Sequence, residues 1–134
     1  MFLRLVLLLA SLSLFPISLN IGIGKEAIAQ NIEWHELKSH FNETISVGLF
    51  RSYEYDGYYV FIFRRHSPKH PTVTYGEFSG WLNCLDKKYS ITSVNYSYKH
   101  GGKKTYEINE GEKIPALHKP SPSHITTILK LACD

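Results

Sequence analysis

Residues 56–63 read Asp56-Gly57-Tyr58-Tyr59-Val60-Phe61-Ile62-Phe63, and this stretch decides the class of fold. Asp-Gly signals a hairpin, because a type I′ turn needs positive φ at both central residues. Six consecutive β-formers follow. They predict a central strand that is buried on both faces or carries an aromatic outer face. Arg64 and Arg65 are expected to end the strand, and Ser67-Pro68 and His70-Pro71 mark a loop after it.

Upstream, Trp34 to Leu37 reads as a short first strand and Ile45 to Tyr55 as a mixed, β-prone segment. Downstream, Thr72 to Tyr75 begins another strand, with Gly76 and Gly80 marking bends or bulges. Trp81 to Leu85 carries Cys84, and Asp86-Lys87-Lys88 is a turn. Tyr89 to Tyr98 is a long strand whose apolar parity shifts between Ile91 and Val94, so a bulge is expected near Ser93. Gly101-Gly102 turns the chain, and Lys104 to Ile108 returns it. The period then changes. Ser121 is a good N-cap with Pro122 at the first helical position. Ile125, Ile128, Leu129 and Ala132 form one face of a helix, with Cys133 on the same stripe. The expected architecture is α+β: an antiparallel sheet of about six strands with one C-terminal helix packed on it.

The first thirty residues have a different character. Arg4 precedes an apolar run, Leu5 to Leu19, interrupted by Pro16, and Ala27-Ile28-Ala29 places small residues at −3 and −1. That layout predicts a secretory signal peptide over residues 1–29, an exported domain over residues 30–134, and no membrane span once the leader is removed. The destination is the periplasm, the cell surface or the medium. In such a compartment a lone cysteine pair is most simply a disulfide. Cys84 and Cys133 are therefore expected to bond, closing a loop of about 50 residues.

Composition narrows function by exclusion. The chain has 134 residues, a formal net charge of +3, 43% apolar and 20% charged residues. That is one domain, and the basic excess is too mild to argue for nucleic acid. G-x-S-x-G, H-E-x-x-H and P-loop motifs are absent, so no enzyme activity, cofactor or metal is expected. His66 and His70 are four apart but flank Pro68 in a loop, which favours exposed loop histidines over a metal pair. Glu107, Glu110 and Glu112 could serve acid–base chemistry only if a histidine converged on them; a solvated turn is the plainer reading. Basic residues gather at loop ends (Arg64, Arg65, Lys69, Lys87, Lys88, Lys99, Lys103, Lys104), where charge also discourages edge-to-edge aggregation.

Nine tyrosines and two tryptophans exceed what one covered face of a small sheet needs. The candidate binding surface is Tyr53, Tyr55, Tyr58 and Tyr98 with Arg64 and Arg65, suited to an extracellular protein or glycan ligand or to a homodimer contact.

The order of these features resembles the surface-adhesin protein E family of small exported bacterial proteins. The carrying residues are Trp34, then Ser52-Tyr53 before Asp56-Gly57, Cys84 with Lys87-Lys88, Tyr89 to Tyr98 leading into Gly101-Gly102, and Pro120-Ser121-Pro122-Ser123 before a helix ending in Cys133. The chain has Gly48-Leu49-Phe50-Arg51 where the family pattern has an aspartate. The resemblance implies an antiparallel sheet tied to a C-terminal helix by the disulfide, and a surface or periplasmic location. The family's named member binds host matrix proteins. The expected function is a non-enzymatic, adhesin-like binding module of the cell envelope. The alternatives are a small secreted hydrolase using a His/Glu pair and a structural envelope protein without a ligand.

Overall fold

The computed structural model describes residues 32–40 and 42–134. The expected leader and its cleavage point after Ala29 lie outside the described residues. Residues 33–134 form a compact unit.

Six strands run in chain order across one sheet: β1 (Glu33–Leu37), β2 (Thr44–Arg51), β3 (Tyr58–His66), β4 (Val73–Asn83), β5 (Lys88–Tyr98) and β6 (Lys103–Glu107). The helix α1 (Pro122–Cys133) follows. Every neighbouring pair is antiparallel and each strand pairs with the next in sequence, so the sheet is a simple meander. Among the described residues no helix is long and apolar enough to cross a membrane.

Strand alternation divides the side chains between two faces. Ile45, Val47 and Leu49 of β2, Phe61 and Phe63 of β3, Phe78 and Leu82 of β4, and Ile91, Val94 and Tyr96 of β5 form the core. Ile125 and Ile128 of α1 close over it. Ser121 caps the helix as expected. Its hydroxyl accepts from the His124 backbone N–H at 3.2 Å, and its own N–H donates to His124 Nδ1 at 3.1 Å. This is a capping box with histidine in the place usually held by glutamate.

Several expected boundaries are corrected. β3 does not stop before Arg64-Arg65 but runs through both to His66. Arg64 is held on one face by Glu77, while Arg65 turns to the other face opposite Ile45 and Gly76. Thr72–Tyr75 and Trp81–Leu85 are parts of one continuous strand, β4, and Cys84 stands just past its end. Asp56-Gly57 belongs to a longer connection, residues 52–57, in which only Gly57 of the pair has positive φ, +80°. The Cys84 N–H donates to the Gly57 carbonyl at 2.8 Å, which fastens this loop to the end of β4 rather than leaving a free two-residue hairpin.

The expected bulge lies one residue from Ser93. Ser79 pairs with Ser93 and Gly80 with Ile91, so Thr92 is the extra residue. Gly76 serves a different need. A Cβ there would stand 3.0 Å from the Cβ of His118. The gap in β4 lets the connection between β6 and α1 press its buried His118 onto the sheet. His118 Nε2 bonds the Val73 carbonyl at 2.8 Å, and the Tyr96 hydroxyl donates to the Leu117 carbonyl at 2.5 Å. Burial pushes the Tyr96 phenol up to about 12. Cys84 and Cys133 are bonded, with Cα atoms 5.3 Å apart, and tie the end of α1 to the sheet.

Two histidines give the fold an acid limit. Burial is the main force holding both His118 and His124 below the ordinary histidine range, and the Arg65 charge adds to it. In the unfolded chain these groups take up protons first. Their stabilisation is therefore complete above about pH 6.5 and is lost as the pH falls through the lowered folded values. The melting temperature should drop between pH 7.5 and pH 5. His124→Gln preserves an acceptor for the Ser121 N–H without a titrating ring, so it should flatten that drop. An unchanged slope in the variant would show that the His124 ring does not contribute to it.

Candidate functional site

The sheet face opposite α1 is covered by no helix or strand among the described residues. Its cross-strand rows are read from the register. Phe50, Val60, Trp81 and Ser90 stand side by side, Trp34, Gly48, Ile62 and Ser79 form a second row, and Tyr58 sits opposite Asn83.

At one end of this face the rings converge. The Tyr58 ring lies 5.6 Å from Trp81 and 5.8 Å from Tyr55, centroid to centroid, both in tilted contact. A groove of about 400 Å³ opens between them, its walls including Ser52, Glu54, Tyr55, Tyr58 and Trp81. Tyr55 is 59% exposed and Trp81 37%. Each ring packs on Tyr58 and leaves part of its surface open to a ligand. Asn83 Nδ2 donates to the Tyr58 hydroxyl at 3.1 Å, which sets the ring's edge. The loop wall is built locally: the Ser52 N–H donates to the Tyr58 carbonyl at 2.9 Å, and Ser52 Oγ accepts from the Tyr55 N–H at 3.2 Å. Cys84 reaches the same loop through Gly57, so the disulfide supports the groove from behind.

A second cluster occupies the same face. The Arg64 guanidinium carbon lies 4.0 Å over the Trp34 ring, and Arg64 Nε donates to Glu77 Oε2 at 2.9 Å. The Tyr75 hydroxyl donates to that same oxygen at 2.6 Å. Burial first, then the bond to Glu77 and its charge, hold the Tyr75 phenol above its ordinary range. This chain of contacts stiffens the middle of the face.

The expected binding surface is thus divided. Tyr55 and Tyr58 share the groove. Tyr53 is 84% exposed at the loop tip, edge-on to Phe50 at 5.9 Å. Arg64 is on the same face of the sheet, in the Trp34 cluster. Tyr98 and Arg65 do not belong to this surface. Tyr98 packs against the core, because the extra residue Thr92 sets the later part of β5 in phase with Val94 and Tyr96. Arg65 faces the helix side by strand alternation. Trp81 was not among the expected residues. Its register opposite Val60, two pairs along from Tyr58–Asn83 and so next to it on the same face, places it in the groove.

The other candidates are placed as follows. Glu110 and Glu112 line a shallow cleft of about 230 Å³ with Tyr89, Ile108 and Ile114, and no histidine stands in its walls. Glu112 accepts from Asn109 Nδ2 at 2.7 Å. His66 is exposed at the end of β3, whereas His70 is half-buried. Its Nδ1 accepts from the backbone N–H groups of Thr72 and Val73 at 3.2 and 3.1 Å, and its ring meets His118 at 4.8 Å. Among the described residues no three His, Cys, Asp or Glu side chains are grouped to hold a metal ion. The edge strands carry charge. On β6, Lys104 lies 4.8 Å from the Tyr106 ring centre.

Comparison of the chain with protein-family models, with curated proteins and with solved structures finds no match. The site must therefore be read from its own chemistry. Three tilted rings beside a carboxylate and a hydroxyl suit a ligand with alternating apolar and hydroxylated faces.

Proposed function

We propose that the protein is an exported, non-enzymatic binding module of the cell envelope or surface, adhesin-like, which holds a glycan in the Tyr55–Tyr58–Trp81 groove. The observation that carries this reading is the convergence of those rings on an uncovered sheet face, around a cavity of about 400 Å³. The C–H face of a pyranose is apolar and stacks on aromatic π faces, while its hydroxyls need the polar rim that Ser52 and Glu54 can supply. The disulfide fits an oxidising compartment. The resemblance to the surface-adhesin protein E family supports the same location and class of role by analogy.

The test is a calorimetric titration of the protein with a panel of neutral envelope and host oligosaccharides. Saturable binding is expected for at least one, and Trp81→Ala should weaken it by at least about tenfold, roughly 1.4 kcal/mol. Tyr55→Ala, at a largely exposed position, should weaken it too and guards against a folding defect in the tryptophan variant. Absence of saturable binding across the panel, or affinity unchanged in both variants, would contradict the proposal.

A further inference from the structure

The helix side of the sheet holds a second, chemically different cavity. It measures about 430 Å³ and lies between the β1–β2 connection, the end of β3 and the start of α1; its walls include Lys38, His40, Glu43, Arg65, Ser123 and His124. Arg65 is the unusual member. Its Nε is buried without a hydrogen-bond partner, the single such side-chain atom among the described residues. The four ion pairs of the described residues lie elsewhere and none includes Arg65. Glu43 is the one carboxylate in the wall, and its Oε1 already accepts from Ser67 Oγ at 3.1 Å. The Arg65 charge is felt within the wall, since it helps hold His124 below the ordinary histidine range.

A buried guanidinium N–H is normally satisfied, because leaving it unpaired forfeits its hydration without return. Nε itself is closed to solvent, so an acceptor in the cavity would meet the rest of the guanidinium, whose charge no ion pair of the described residues balances. We propose that this pocket binds an oxyanion group, a carboxylate, sulfate or phosphate, with Arg65 as its principal anchor and Lys38 supplying further positive charge. The two terminal nitrogens of a guanidinium match two oxygens of such a group in a paired contact. The site is separate from the aromatic groove, which lies on the other face of the sheet at the opposite end of β3.

The experiment follows the Arg Nε–H resonances of the protein by NMR at pH 7 in low-salt chloride buffer, with separate additions of sodium acetate, sulfate and phosphate. The Arg65 signal should shift saturably, while those of Arg51 and Arg64 stay nearly fixed. Response to acetate alone marks a carboxylate site, and response to sulfate and phosphate alone a tetrahedral one; either supports the proposal. Arg65→Gln should weaken binding at least tenfold, and Arg65→Lys should retain part of it. No saturable shift with any of the three anions, or an equal drift of all three arginine signals, would overturn the proposal. The wild-type spectrum decides this even if the variants fold poorly.

Discussion

Cys84→Ser should lower the stability of the folded domain by about 2–5 kcal/mol, and Cys133→Ser by the same amount. The bond joins residues 49 apart in sequence, and closing a loop of that size removes about 4 kcal/mol of chain entropy from the unfolded state. A domain of this size has about 5–15 kcal/mol of stability in all, so the loss is a large fraction of the total. The loss has a direction as well as a size. Cys84 is the residue whose N–H fastens the Gly57 carbonyl, and that loop is the wall of the aromatic groove. Ligand affinity should therefore fall together with stability, whereas a disulfide remote from the site would cost stability alone. Urea unfolding in non-reducing buffer checks the first part. An unchanged midpoint in either serine variant would show that the bond is absent or without effect.

Gly80→Ala should be as damaging, at about 3 kcal/mol or more. A Cβ built at Gly80 would lie 1.8 Å from the Ser90 carbonyl oxygen and 2.9 Å from the Ile91 Cα. Both are backbone atoms of β5 and cannot swing aside as a side chain could. The bulge at Thr92 draws β5 close at this point, and only glycine leaves room for it. Gly111→Ala is the control. Its φ is +81° but nothing stands within 4 Å of the added methyl, so the cost there is backbone strain alone, about 1–2 kcal/mol. Thermal melts of the two variants should separate clearly. Equal losses would mean that β5 yields at Gly80.

Much of this fold is legible in local chemistry. The aromatic run of β3 and the paired glycines before β6 announce themselves because turn and strand preferences are properties of a few neighbouring residues. The Ser121-Pro122 start of α1 and the cysteine on its apolar stripe are equally plain. What stays hidden depends on partners distant in sequence. Two arginines look like the end of a strand until Glu77 and Trp34 take one and the helix side takes the other. Gly76 and Gly80 read as bends or bulges in β4, and the register does shift at Ser79/Gly80, but what each makes room for is hidden: His118 in one case and the β5 backbone in the other. The histidines illustrate the same limit. Nothing near His124 in sequence distinguishes a capping, half-buried ring from a solvated one, and its identity as the third residue of a capping box is masked by the usual preference for glutamate.

The candidate site divides along the same line. Tyr55 and Tyr58 flank the Asp56-Gly57 turn and are found from sequence. Trp81 joins them only through the β3–β4 register, and Tyr98 leaves them because one extra residue in β5 sets its parity. Arg65 could be suspected from its charge, but that its Nε is buried and unpartnered is a property of packing alone.

Export, as we propose it, and the Cys84–Cys133 bond are tested together by the intact mass of the protein purified from its native host, with and without reduction before alkylation. An exported, bridged protein should begin at Gln30, be lighter by the two hydrogens of a disulfide and be alkylated at Cys84 and Cys133 only after reduction. A chain retaining Met1, with both thiols free to react at once, would contradict the export, the bond and the binding role built on them.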